Sequence, residues 1–387
     1  MNTRFLVHAV LAAASLAAFN ATAADLREVY VRALTNDPLI READANRLAT
    51  RESKPQAVAS LLPQIAATAN YRDNESLGSQ TFLQEEDDGS VTVGVAESET
   101  DGTREAWNVE LRQSIFRWQN WAELKRANVE GAQAEAEYVV AQQDLILRTA
   151  EAYFNVLAAQ DTLEAAQAAH DAIERQLEQS EKRFEVGLIA VTDVQDAKAA
   201  SDSATAALIQ AKRNLATSGE ILRELTGDAW DNLEKPGSDM PLAAPNPASP
   251  EDWVKLAMEQ NASLTASRLA ADVTRQVVNI ERGGHYPEVD LVLTHGEFED
   301  DGRFTNQTGV TFPNDADSED TTIGVQVTVP IFSGGATSSR VRQAQYRHTA
   351  ARERLERTVR ETERSTRDAY LGVNSEVARV QSLKQAV

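Results

Sequence analysis

Val191–Gly227 reads VTDVQDAKAASDSATAALIQAKRNLATSGEILRELTG, and two rows of residues recur in it every seven positions. Val194, Ser201, Leu208, Leu215 and Leu222 form one row. Ala197, Ala204, Ala211, Ser218 and Leu225 form the other, three residues later. Apolar or small residues at a and d through successive heptads specify a coiled-coil helix. Alanine and serine along d let a partner backbone come close. The partner lies just upstream, where Leu163, His170, Leu177 and Phe184 alternate with Ala166, Ile173 and Ser180. Gly131 is the one glycine between Gln119 and Val186, and no proline falls between Pro63 and Pro236. A helix of that length extends roughly 100 Å at 1.5 Å per residue. The chain turns at Gly187-Leu188-Ile189-Ala190-Val191 and returns, so a long coiled-coil hairpin is expected. His170 on the seam reads as a packed or edge residue rather than a metal ligand. Thr192 with Gln195 matches a capping box, and Asp193 stands at the positive end of the returning helix. Asp193 and Asp196 share a helix face and would form carboxylate rings in a symmetric oligomer.

The same architecture is written twice. Asn36-Asp37-Pro38 is answered by Asn261-Ala262-Ser263, 225 positions on, and Pro63 by Pro287, 224 on. Ile115-Phe116 is answered by Ile331-Phe332 and Ala152-Tyr153 by Ala369-Tyr370, at offsets of 216 and 217. Ordered landmarks with a slowly drifting offset mark a duplicated unit of helix, strand, acidic loop, strand and long helix. The reading assigns residues 24–235 to the first copy and 251–387 to the second, joined by the proline-rich linker 236–250. The first copy's hairpin covers about 118–226. The second copy's equivalent of Gly187 would fall near position 404, past Val387, so a chain shortened in its second hairpin is expected.

Strands are expected at about 63–73, 104–116, 287–298 and 320–332, where apolar residues alternate with polar ones. Ile65, Ala67, Ala69 and Tyr71 line one face of the first; Ile323, Val325, Val327 and Val329 line one face of the last. Their length suits a tilted transmembrane strand. Four strands cannot close a useful barrel, and lipid does not tolerate open sheet edges. Several chains would therefore combine. The fold class is mainly α with a small β part: long helical hairpins plus four amphipathic strands, internally duplicated.

Composition narrows the function. The chain has 387 residues, 38 Lys plus Arg against 60 Asp plus Glu, a formal charge of −22 and no cysteine. That balance repels phosphate and excludes a nucleic-acid binder. Lack of cysteine removes disulfides, thiolate nucleophiles and Cys-metal sites. Residues 1–23, with Arg4, the apolar stretch Phe5–Phe19 and Ala21-Thr22-Ala23, read as a secretory signal peptide. No later segment is apolar enough for a membrane-spanning helix. The five histidines are scattered, and no G-x-S-x-G, P-loop or H-E-x-x-H pattern occurs, so no enzyme, cofactor or metal site is indicated. A soluble periplasmic coiled-coil adaptor or scaffold is the alternative, though it would need neither duplication nor strand pairs.

Arg183-Phe184-Glu185-Val186-Gly187-Leu188-Ile189-Ala190-Val191-Thr192-Asp193-Val194-Gln195-Asp196-Ala197 closely resembles the hairpin tip of the TolC family of outer-membrane efflux proteins. Leu61-Leu62-Pro63-Gln64-Ile65, Ala152-Tyr153-Phe154-Asn155-Val156-Leu157 and Leu225-Thr226-Gly227 look like further landmarks, in order along the mature chain. The resemblance implies a homotrimer giving four strands per chain to a twelve-stranded outer-membrane barrel, continued by a helical tunnel across the periplasm. It implies a passive duct for drug efflux or type I secretion. Its partners would be a periplasmic adaptor (a membrane fusion protein), an inner-membrane RND or ABC transporter, and outer-membrane lipid. Arg183, Phe184, Val186, Gly187 and Leu188 would face the adaptor; Thr192, Asp193 and Asp196 would line the periplasmic entrance. The family's closing arginine and tyrosine of the second tip have no counterpart up to Val387. Asp196 departs from the pattern by putting an additional acid in the first copy.

Overall fold

The computed structural model describes residues 23–85, 89–237, 242–306 and 310–386. The signal segment expected at 1–23 therefore lies outside the described residues but for its last position. The described residues form two compact units: those within 1–47, 135–263 and 363–387 make one, and those within 48–134 and 264–362 the other.

The first unit is helical. α1 (Leu26–Asn36) begins at Asp25, whose carboxylate accepts the Glu28 N–H at 2.6 Å, and stops where Pro38 opens α2 (Pro38–Arg51). Asp37 at this break is almost wholly buried, and Arg148 donates to its Oδ2 at 2.7 Å. A buried carboxylate is tolerable only with such a partner. α3 (Ser53–Ala59) is short and belongs to the second unit; α4 (Trp118–Glu185), 68 residues long, has its first part there and the rest in the first unit, and α5 (Val191–Thr226) has 36 residues. The heptad rows behave as their spacing dictates. From Val194 to Leu225 every a and d residue of α5 is buried or half-buried, while everything between is exposed except Gly219. On α4, Leu163, Ala166, His170, Ile173, Leu177 and Ser180 are likewise drawn inward. α5 ends at Gly227 in the left-handed region, φ +77°, with the Gly227 N–H bonded to the Arg223 carbonyl at 2.7 Å. Beyond it Leu233 pairs in parallel with Ala24, and Leu222, Leu225 and Leu233 close a core over Val29, Tyr153 and Val156. Each such side chain contributes about 1.5–3 kcal/mol on burial. The Tyr153 hydroxyl reaches the Glu234 carbonyl at 2.6 Å and the Ala24 carbonyl at 3.2 Å, tying the first helix's entry to the strand that follows α5.

The second unit carries one antiparallel sheet: β1 (Gln64–Glu85), β2 (Val91–Phe116), β3 (Glu288–Thr305), β4 (Thr311–Pro313) and β5 (Ala316–Thr328). β1 pairs with β2, β2 with β3, and β3 with both β4 and β5. α6 (Pro250–Gln260) belongs to the first unit; α7 (Ala262–Gly283) and the part of α8 (Ala336–Ala386) up to residue 362 pack through small residues in this one. Ala266, Ala271 and Ala344 are buried, and Thr274 Oγ1 lies 3.0 Å from His348 Nδ1.

Four expectations need correction. The strands do not stop at residues 73 and 104: the ladder runs unbroken from Gln64↔Arg112 to Glu85↔Val91. The ribbon is acidic in its middle and regains apolar alternation at Val91, Val93 and Val95, with Leu83 opposite Val93; throughout, its backbone groups are satisfied from strand to strand, which keeps it extended. Likewise β3 continues past 298 to Thr305, β4 is an added short strand, and β5 begins at Ala316 and ends at Thr328 rather than 332. The offset at the first landmark is 224, not 225. α1 and α6 are both 11 residues, capped by Asp25 and Ser249 at one end and by Asp37 and Asn261 at the other. Finally, Thr192 and Gln195 do not form the cap of α5. The cap residue is Ala190, whose N–H donates to Asp193 Oδ2 at 3.2 Å.

Candidate functional site

Strand alternation gives the sheet two unlike faces. One face carries Ile65, Ala67, Ala69 and Tyr71 on β1, then Leu111, Val109 and Trp107 on β2, which the register sets opposite them. Leu291 and Leu293 continue it on β3, and Val327, Val325 and Ile323 on β5. Ile65, Tyr71, Ile323, Val325 and Val327 are exposed, although a water-facing sheet would bury or replace them. The band from Ile65 to Tyr71 covers about 20 Å at 3.4 Å per residue, near the ~25 Å apolar band of an outer-membrane barrel. It ends in polar-tipped rings. Trp107 meets His295 edge-on at 5.4 Å and donates to Glu297 at 3.3 Å, while His295 Nδ1 lies 2.8 Å from Thr321 Oγ1. Above this girdle the same face becomes acidic, with Glu105 opposite Glu299 and Thr103 opposite Asp301.

The other face is polar and holds the cations. Arg104 grips Asp300 with both Nε and a terminal nitrogen and lies over the Phe298 ring at 4.7 Å. Arg112 and Arg117 both reach Asp290 Oδ2, at 2.8 and 3.1 Å, and Asp290 is almost wholly buried. Thr68 donates to Asn108 across the first strand pair. This face is also the crowded one. A Cβ on Gly296 would lie 2.6 Å from the Trp107 carbonyl, and one on Gly102 2.6 Å from the Gly302 Cα. None of these arginine–carboxylate rows was singled out in the sequence. Their signal was the even-numbered charges of each strand, legible only once the register is fixed.

The hairpin tip shows what a Schellman stop does at the end of a 68-residue helix. Gly187, at φ +76°, donates its N–H to the Phe184 carbonyl at 2.8 Å, and Leu188 N–H reaches the Arg183 carbonyl at 2.9 Å. Arg183, Phe184, Val186, Gly187 and Leu188 thus come together on one turn. Val186 is 70% and Leu188 68% exposed, with Phe184 and Val191 also open to solvent. Thr192, Asp193 and Asp196 lie in the first two turns of α5 and are exposed; Asp193 is engaged in capping, and Asp196 stands one turn further along.

Farther down α4, His170, Asp171 and Glu174 bring three ligand atoms within 4.8 Å of one another. Two of them already pair: His170 Nδ1 lies 3.3 Å from Asp171, which also accepts from Gln167 at 2.8 Å. The Gln167 amide, and then His170, hold the Asp171 carboxyl below its ordinary pKa. Among the described residues no helix is long and apolar enough to cross a membrane.

The comparisons with known proteins agree with this geometry. The family model described as "Outer membrane efflux protein" matches residues 29–228 and 253–387. Outer membrane protein TolC of Vibrio cholerae is 34% identical over 369 residues, covering 94% of this chain and 78% of that protein. The alkaline protease secretion protein AprF of Pseudomonas aeruginosa is 26% identical over 370 residues, covering 95% of this chain and 73% of that protein. The solved CmeC outer membrane channel of Campylobacter jejuni superposes with a TM-score of 0.69 over 93% of this chain and 74% of that one, at 18% identity. A soluble scaffold accounts for neither the two-faced sheet nor these relatives. The sheet and long helices are those of an outer-membrane channel that reaches into the periplasm, a transport conduit for efflux or type I secretion without catalytic chemistry. The chain belongs to the outer membrane efflux protein family, of the TolC type.

Proposed function

We propose that three copies of the chain close edge to edge into one barrel, with β1 of each pairing beside β5 of the next, and that the joined hairpins continue it as a duct. The observation that carries this reading is a sheet with one apolar and one polar face, whose outer strands β1 and β5 each pair on one side only among the described residues. Four long strands from each of three chains make twelve, enough to enclose water, whereas four make no channel. The absence of cysteine gives a clean test. Ala67→Cys combined in turn with Ile323→Cys, Val325→Cys or Val327→Cys should yield, for one register, an oxidised species of three chains in SDS. Only monomers or dimers across the whole set would end the trimer reading.

The exposed tip residues Arg183, Phe184, Val186, Gly187 and Leu188 serve as the docking surface for a periplasmic adaptor, which links the duct to an inner-membrane RND or ABC transporter. Apolar side chains at a solvent-exposed turn mark a protein contact. Thr192, Asp193 and Asp196 line the periplasmic entrance, where a three-fold assembly repeats each carboxylate as a ring favouring cations. Single-channel conductance of Asp196→Asn tests this, with reduced cation preference and weaker block by multivalent cations expected. Unchanged selectivity and block would remove Asp196 from the entrance. The same reading leaves residues 24–235 and 251–387 as the two copies of one unit, with 236–250 linking them.

A further inference from the structure

One turn of α4 holds donors that neither the seam nor the tip requires. His170 alone, in the inward row of the helix, is no ligand set. The structure adds two carboxylates to it: Asp171 and Glu174 each bring an oxygen within 4.8 Å of the imidazole nitrogen and of each other. His170 Nδ1 lies 3.3 Å from Asp171 Oδ1 and 4.0 Å from Glu174 Oε2. Residues four apart share a helix face, so the imidazole and the Glu174 carboxylate look the same way, and Asp171 reaches in from the flank. No other set of three His, Asp or Glu side chains among the described residues comes together so closely.

The spacing suits a metal ion. Zinc takes imidazole nitrogen and carboxylate oxygen at about 2.0–2.2 Å, so two tetrahedral ligands stand roughly 3.3–3.5 Å apart. His170 and Asp171 already have that separation. Glu174 must swing inward by about 1 Å to match, which its 66% exposed side chain achieves by rotation. The other two ligands are held. The imidazole is only 19% exposed, at the edge of the seam. The Gln167 amide donates to Asp171 Oδ1 at 2.8 Å, the outer partner that fixes a ligating carboxylate. The same amide, then His170, and more weakly the charge of Arg175, keep the Asp171 carboxyl below its ordinary pKa and therefore ionised. Two carboxylates against the one charge of Arg175 leave the site negative.

We propose that His170, Asp171 and Glu174 form a binding site for a divalent transition-metal ion of the zinc class on the helical hairpin. One nitrogen and two carboxylates suit zinc or cobalt, whereas calcium and magnesium prefer oxygen alone. Binding takes the neutral imidazole with its proton on Nε2, so that bonds to the ion replace the Nδ1 contact with Asp171. Three protein ligands leave a fourth position for water. The ion links successive turns of α4 beside the seam, once in every copy of the chain.

The probe is Co²⁺, titrated into the untagged chain in detergent micelles with excess Mg²⁺ to occupy sites made of carboxylates alone. One equivalent per chain should bind with the intense visible absorption of a four-coordinate ion, and Zn²⁺ should displace it. His170→Ala should abolish that absorption, while His285→Ala and His348→Ala should leave it. Asp171→Asn and Glu174→Gln should each weaken binding at least tenfold with the helical circular dichroism unchanged, and Gln167→Ala by about tenfold. The carboxylate variants keep the test valid should His170→Ala loosen the seam. Absorption indifferent to His170→Ala, or to Asp171→Asn and Glu174→Gln together, overturns the proposal. So does the faint spectrum of an octahedral ion held by carboxylates and water. All three ligands come from one chain, so trimer formation is read separately.

Discussion

Neighbouring residues on β2 allow the orientation of the sheet to be tested by a single-position contrast. Val109 points to the apolar face, midway between Leu111 and Trp107 in the band; Asn108 points to the polar face. An arginine at the midplane of a barrel's lipid face costs about 2–4 kcal/mol, falling to roughly 0–1 near the interface. Val109→Arg therefore loses about 2–4 kcal/mol per chain, and about three times as much in a ring of three copies. Asn108→Arg meets the polar face. It loses only its bond from Thr68, about 1 kcal/mol, and adds a cation to the face that carries Arg104 and Arg112. Outer-membrane fractionation with unheated SDS gels should show Val109→Arg failing to assemble. Asn108→Arg should assemble and shift conductance toward anions. Equal assembly of both variants, or greater damage from Asn108→Arg, would refute the assignment of faces.

Gly187 has open space around it, so Gly187→Ala tests backbone strain alone. A side chain at φ +76° should cost about 1–2 kcal/mol, read as faster amide exchange at residues 183–190 with barrel assembly intact. Val186→Asp with Leu188→Asp should abolish efflux in a susceptibility assay while leaving assembly and melting temperature unchanged; retained efflux would remove the tip from adaptor docking. Tyr153→Phe removes the bonds to Glu234 and Ala24, a loss of about 1–2 kcal/mol in chemical unfolding. Burial, and then the nearby charges of Glu234 and Asp25, hold the Tyr153 phenol above its ordinary pKa of 10.0. A group raised on folding contributes stability that is complete below its unfolded pKa and lost as pH rises through the folded one. Stability should thus fall as pH climbs past about 10, and Tyr153→Phe should flatten that part of the profile. An unchanged slope would place the alkaline loss elsewhere.

The sequence by itself determined the elements that repeat within a local window. Seven-residue spacing named the seam of α5, and its residues are the ones drawn inward. Gly187 and Gly227 marked helix ends because the backbone takes the left-handed region there, which glycine adopts without strain. Period-two alternation found the apolar base of the strands, and ordered landmarks found the duplication. Tertiary structure decided the rest. The ribbon beyond Tyr71 is acidic in its middle, shows apolar alternation only at Val91, Val93 and Val95, and is held along its length by cross-strand backbone bonds to partners up to tens of residues away. Arg104 meets Asp300 because two registers bring them together across 196 positions. The cap at Ala190, a residue without a polar side chain, arises from Asp193 folding back, and the 224-residue offset followed from matched helix ends. Periodicity records which side of an element avoids water. Register, closure and the filling of grooves depend on summed contacts between distant segments, and no single stretch of chain contains that sum.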